Sequence, residues 1–190
     1  MQHHIHASPT SSQAFALQIR ARRSDDLLSL AFAGVIGGAL TRGRRPMIRG
    51  LSESRFQKLL NEYFVDAELD NGEPGQDSAI AAGEEFLDLV DLLLEHRATP
   101  GERAAWLCYA IATAAMGENH LWQDMGLPDR KTLSALMCES FPALTAKNSG
   151  DMKWKKFFYR HLCERAEVPI CKSPHCAECS DYVFCFSHES

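Results

Sequence analysis

Four cysteines close to the carboxyl end constrain this chain more than any other feature. Cys171, Cys176, Cys179 and Cys185 are spaced C-x4-C-x2-C-x5-C, all within fifteen positions. So short a segment cannot bury enough surface to form its own core, so a cross-link or a metal has to order it. Between Met1 and Ser12 there is no cationic stretch followed by an apolar run of about 7–15 residues, as a secretory leader needs; the sequence therefore reads as cytoplasmic. In a reducing compartment clustered thiols act as metal ligands rather than as disulfides.

Spacing narrows the metal. Structural zinc sites draw paired C-x2-C knuckles from separate turns, or mix Cys with His. This tail has one such knuckle, Cys176 and Cys179, flanked by single thiols. Iron–sulfur clusters are held by compact runs of thiolates, often three together and a fourth further away. Cys171, Cys176 and Cys179 form such a clamp, with Pro174 restricting Ser173 and bending the loop between the first two. Thiolate also suits iron in sulfide clusters. An iron–sulfur centre is the first expectation and structural zinc the alternative.

The rest of the chain reads as all-α: a disordered tail over 1–14, one helical domain over 15–165 and a cysteine-rich metal-binding segment over 166–190. No stretch alternates as a half-buried strand does. The tail carries His3, His4 and His6, which read as chance residues in a polar segment. Leu27–Leu40 is the most apolar run, too short for the roughly 20 residues that span a bilayer, and reads as a buried helix. Ser24 with Asp25 and Asp26 supplies its cap, and Gly37 and Gly38 mark its end or a close crossing. A basic connector, TRGRRPMIR, follows at 41–49, and its default reading is a solvated loop.

Further helices fit 52–64 (Phe56, Leu59, Leu60 and Tyr63 on one face) and 78–97 (Phe86, Leu87, Val90, Leu93 and Leu94 inward). A turn at Asn71–Gly75 separates them. The carboxylates Glu84, Glu85, Asp88, Asp91 and Glu95 lie mostly opposite the apolar face and carry no Glu-x-x-His pair of the di-iron type, so they read as a wet face. Thr99-Pro100-Gly101-Glu102 has the form of a capping box opening a helix to about Met116. Two more helices fit 129–141, closed by Pro142, and 149–165. Cys108 and Cys138 read as core residues.

Charge is uneven. Residues 1–60 carry nine Lys/Arg against three Asp/Glu, and 61–100 carry one against eleven, within a net charge of −5. An acidic chain argues against a general nucleic-acid binder, and no segment demands a membrane. The stretch 153–160 interleaves bases with aromatics, as single-strand binders do. On a wheel, though, Trp154, Phe157, Phe158, His161 and Leu162 share one face and Lys153, Lys156 and Arg160 another. That stripe is a solvated edge or a counter-charge for the thiolates, which around an oxidised cubane leave about −2.

The block MGENHLWQDMGL at 116–127, the block KNSGDMKWKKFFYRHLCE at 147–164 and the tail ending in DYVFCF resemble the NifQ family of nitrogen-fixation proteins. The resemblance covers residues 105–188 and includes all four tail cysteines; the first hundred residues carry none of its motifs. It implies an iron–sulfur protein, with a 4Fe–4S or Mo–3Fe–4S cluster, that binds molybdenum and donates it to biosynthesis of the nitrogenase iron–molybdenum cofactor. The partners it implies are the NifEN scaffold and the nitrogenase iron protein, with molybdate or another molybdenum source as substrate.

On that basis three thiolates, from Cys171, Cys176 and Cys179, hold three corners of a cubane, and Cys185 or a weaker ligand guards the corner that exchanges metal. His120 is the first nitrogen candidate, followed by His161, His175 and His188. Cys163 is either an extra thiol ligand or a core residue, with core favoured. A carrier rather than an enzyme is expected, since the sequence has no phosphate-cradling Gly-rich loop, Rossmann fingerprint or nucleophile elbow. The competing class is a zinc-stapled interaction or nucleic-acid-binding module.

Overall fold

The computed structural model describes residues 21–22, 26–72, 83–166 and 182–187, and among these the chain is helical with no strand. The helices are α1 (Leu27–Thr41), α2 (Glu53–Tyr63), α3 (Gly83–His96), α4 (Glu102–Ala115), α5 (Leu121–Asp124), α6 (Arg130–Ser140), α7 (Pro142–Lys147), α8 (Trp154–Arg165) and α9 (Tyr182–Phe186). The all-α expectation holds; an isolated bridge between Ala21 and Phe64 is the only extended pairing described. The expected disordered tail over 1–14 lies outside the described residues.

Helix α1 is apolar on every side, as a helix enclosed by others must be; nine of its 15 residues are buried and none is exposed. Asp26 caps it, accepting from the Ser29 N–H at 3.1 Å; Ser24 and Asp25 lie outside the described residues. Gly37 and Gly38 do not end it, for the hydrogen-bond ladder runs on to Thr41. The close crossing falls one turn earlier, at Gly34. A Cβ there would overlap the Met125 carbonyl oxygen and stand 3.0 Å from Gly126 Cα. Gly126 itself has φ +63°, so the two glycines let the turn after α5 lie directly on the α1 backbone.

Helix α4 is the axis of the fold, packing on α3 and α1. Trp106, Leu107, Cys108 and Ile111 are buried along it, and Phe32 and Trp106 both meet the Tyr63 ring edge-on. It begins at Glu102 with Gly101 as N-cap at φ 135°, not at Thr99. The Glu102 carboxylate is instead held by the Arg55 guanidinium at 2.8 and 3.3 Å, tying the start of α4 to α2. Cys108 is a core residue as expected, and burial pushes its thiol up to about 12.

Two inward assignments were off by one position. Leu87 is 56% exposed; Phe86, Leu89, Val90, Leu92 and Leu93 fill the core face of α3, and one step past Phe86 turns a side chain about 100° away. Cys138 is exposed for the same reason, one step past Met137 on α6. The carboxylates of α3 are exposed, as the wet-face reading requires. Asp129 caps α6 through the Thr132 N–H at 2.7 Å. Pro142 does more than close α6: it occupies the first turn of α7, where its missing N–H costs nothing. Helix α8 begins at Trp154 rather than 149, burying Trp154, Phe157 and Phe158.

The basic connector is not a loose loop. Met47 and Ile48 are fully buried, and Asn71, 2% exposed, staples them. Its Oδ1 accepts from the Ile48 N–H at 2.9 Å, while its Nδ2 donates to the Ile48 and Leu51 carbonyls. The Met47 N–H donates to the Asn71 carbonyl at 2.9 Å, and the Arg49 N–H to Thr113 Oγ1 at 3.0 Å. A buried amide with its groups so occupied fixes the backbone around it.

Candidate functional site

The C-terminal segment enters the described structure at α9, which carries Cys185. Three of the four sequence-predicted ligands, Cys171, Cys176 and Cys179, lie outside the described residues, as do His175 and His188. Helix α9 is too short to stand alone and is held by its neighbours. The Lys153 N–H donates to the Cys185 carbonyl at 2.9 Å, and Lys153 Nζ donates to Ser187 Oγ at 3.0 Å. Phe186 stacks on Tyr182 with centroids 4.4 Å apart and packs near Gly150, where a Cβ would come 3.2 Å from its ring. Cys185 is thereby half-buried at the edge of the core.

Beside Phe186 runs a groove of about 430 Å³ whose walls include Lys147, Arg160, His161 and Glu164. Arg160 Nε bonds Glu164 at 2.8 Å. Lys147 Nζ sits 3.0 Å from His96 Nε2 and 3.5 Å from His161 Nε2. Burial first, then the Lys147 ammonium, hold His161 below the ordinary imidazole range. That Nε2 already faces a cation, so as a metal ligand it would have to displace Lys147. Of the basic stripe, Lys153 and Arg160 lie against the tail side of α8, while Lys156 is exposed. Cys163, on the last turn of α8, is half-buried like Cys185 and lies outside the core cluster.

His120 is the N-cap of α5, its backbone N–H donating to Gln123 Oε1 at 3.1 Å. Among the described residues no three His, Cys, Asp or Glu side chains converge where a metal could sit. The fold does not place His120, Cys163 and Cys185 in one such group.

What residue-by-residue reading missed is Asp124, at the other end of α5. It is a buried carboxylate, its side chain 4% exposed. Lys155 Nζ reaches it at 2.7 Å, the Asn119 backbone and amide donate to it at 3.0 Å each, and Arg42 lies 3.8 Å away. Lys155 also donates to the Gly117 carbonyl at 2.8 Å. This ring joins the block 116–127 to α8, and its one sequence signal was an acid between Gln123 and the apolar Met125.

These elements define a class: an all-α protein whose cysteine-bearing C-terminal segment docks on the first turn of its last long helix. The comparisons give the family. The NifQ family model matches residues 31–187, and the chain belongs to the NifQ family, which serves nitrogen fixation. Protein NifQ of Azotobacter vinelandii is 34% identical over 155 residues, covering 76% of this chain and 80% of the relative. Protein NifQ of Rhodobacter capsulatus is 32% identical over 161 residues, covering 82% and 89%. Protein NifQ of Klebsiella pneumoniae is 49% identical over 78 residues, covering 40% and 46%. No solved structure matches. The family match starts at residue 31, so most of α1 and the basic connector belong to it, although their sequences carried no motif of the family.

Proposed function

We propose that this chain is a cytoplasmic metal carrier, not an enzyme, that takes up molybdenum and donates it for assembly of the nitrogenase iron–molybdenum cofactor. Family membership over residues 31–187 carries the reading. Cys171, Cys176, Cys179 and Cys185 hold the iron–sulfur cluster, which supplies soft sulfide-bridged positions where molybdenum, the cargo, is exchanged. Two observations support the reading: Cys185 sits half-buried on an anchored helix, and the Lys153 ammonium beside it, bonded to Ser187, adds positive charge next to a thiol-bearing segment.

A donor must hold its cargo with fewer strong protein ligands than a storage site, because four thiolates around one metal leave no position open. Cys185, which stands outside the three-thiol clamp and whose carbonyl accepts from Lys153 at the start of α8, is the ligand assigned to the exchanging corner. His120 and Cys163 are the additional candidates. The recipients are the NifEN scaffold with the nitrogenase iron protein.

The test is metal and acid-labile sulfide analysis of protein purified without oxygen from cells grown with molybdate, with electron paramagnetic resonance on the same sample. Iron, sulfide and molybdenum in one centre are expected. A colourless protein holding zinc would refute the reading in favour of the zinc-stapled module. Cys185→Ser should retain iron and change molybdenum content; loss of all iron would contradict the exchanging-corner assignment.

A further inference from the structure

Distinct from the groove beside α9 is a depression of about 460 Å³ between the carboxyl ends of α1 and α4 and the stapled connector. Four arginines, Arg42, Arg44, Arg45 and Arg49, line it, with Asp124 as the single acidic residue. In a chain of net charge −5, such a concentration of positive charge at one concavity needs a reason. Arg42 is 3.8 Å from Asp124, and Arg49 lies over the Phe86 ring. Arg44 and Arg45 are exposed and have no carboxylate partner among the described residues.

We infer that this depression is a binding site for a tetrahedral dianionic oxyanion. Guanidinium forks match the edges of a tetrahedral oxyanion bidentately, and several of them together favour a multiply charged anion over a single carboxylate. The backbone beneath them is set before any ligand arrives, because Asn71 and Thr113 hold residues 47–49 and Met47 and Ile48 are sunk in the core. Such preorganisation lowers the ordering cost of binding. The one acid on the lining does not repel the ligand unopposed, since Lys155 and Asn119 already bond it. The concavity separates this from a flat basic face suited to an acidic protein. Its volume accommodates an oxyanion together with part of its hydration shell.

Molybdate as the physiological ligand rests on the proposed function. An oxyanion of charge −2 is repelled by a cluster of thiolates; a cationic site elsewhere on the same chain gives it a first place to bind.

The experiment is equilibrium dialysis of molybdate, sulfate and phosphate against the full chain and against the chain with all four tail cysteines changed to Ser. Arg44→Ala/Arg45→Ala is run alongside in both backgrounds, with circular dichroism as the control on folding. Saturable binding is expected, kept in the serine chain and weakened about tenfold or more per guanidinium removed. Because the serine chain holds no cluster, this result is independent of whether the cluster assignment stands. No saturable binding of any of the three anions, or binding that the folded double variant retains in full, overturns the site. Sulfate or phosphate binding tighter than molybdate overturns molybdate as its ligand.

Discussion

Replacing Gly34 by alanine tests the tightest contact in the fold. Helix propensity alone favours the change, by about 1 kcal/mol for Gly→Ala in a helix interior. Packing opposes it. The new methyl would overlap the Met125 carbonyl oxygen and lie 3.0 Å from Gly126 Cα, so the turn after α5 has to retreat by roughly 1 Å to restore contact distance. Both sides of the contact are backbone and no rotamer change relieves it. Overpacking of this kind costs about 1–3 kcal/mol, and more where backbone has to move. The upper end applies, leaving a net loss of about 2 kcal/mol, or roughly 4–8 °C in Tm for a chain of this size. Gly38→Ala is the control, since a Cβ there meets only the far end of the Arg42 side chain; it should raise Tm by up to ~4 °C. Thermal melts followed by circular dichroism separate the two. A Tm for Gly34→Ala equal to or above that of the parent would refute the close-crossing argument, because propensity would then be the only force acting.

Asp124→Ala should cost about 3–5 kcal/mol in urea unfolding, because it leaves the Lys155 ammonium, 16% exposed, without its buried partner; a loss under ~1 kcal/mol would mean the ring is not structural. Native protein treated with iodoacetamide at pH 8 should be modified at exposed Cys138 and spared at Cys108, whose thiol burial raises to about 12; peptide mass mapping reads this, and early Cys108 modification would contradict the packing. Arg55 holds Glu102 below the ordinary carboxylate range. The folded state therefore binds that proton less readily than the unfolded one, and the pair's contribution is full above about pH 4.5–5 and lost as pH falls through the folded value. Glu102→Gln should be less stable at neutral pH by no more than ~1 kcal/mol, and its stability should fall less steeply below pH 5, as urea midpoints across pH will report.

Helix positions were legible because apolar spacing is a local property of the chain. The inward faces of α2 and α8 were read correctly from it. Leu87 and Cys138 were misplaced because both stand next to a true core residue, and a single turn of helix cannot say which of two adjacent apolar residues faces a partner that is distant in sequence. Gly34 shows the same limit. Nothing in LAFAGVIGG distinguishes the glycine that meets another backbone from the two that follow it. The tail thiols suggested a metal site through spacing alone, and only Cys185 of the four falls among the described residues, whereas Asp124 and Asn71 did not announce themselves. Asn71 acquires its role from residues 20 or more positions away and Asp124 its cation from Lys155, 31 positions on, and a single polar residue in a turn has many uses.

The two proposed sites meet at one place in the fold. At the start of α8, Lys153 holds the Cys185 carbonyl and Ser187, and Lys155 holds Asp124 and the Gly117 carbonyl. Only Trp154 stands between the two lysines, Lys153 being the N-cap of α8 and Lys155 in its first turn. Helix α9, which carries Cys185, and the carboxylate that borders the arginine depression are therefore both anchored at the start of α8. A metal that enters as an oxyanion needs hard, cationic contacts at arrival and soft thiolate contacts for retention, and no one set of ligands supplies both. In the proposed reading the arginine depression supplies the first set and the tail thiols the second. Lys155→Met should accordingly disturb the depression through Asp124 while leaving α9 in place, so molybdate binding falls and iron content does not. If instead both fell together in a folded variant, the turn would be a common support and the two sites would not be separable.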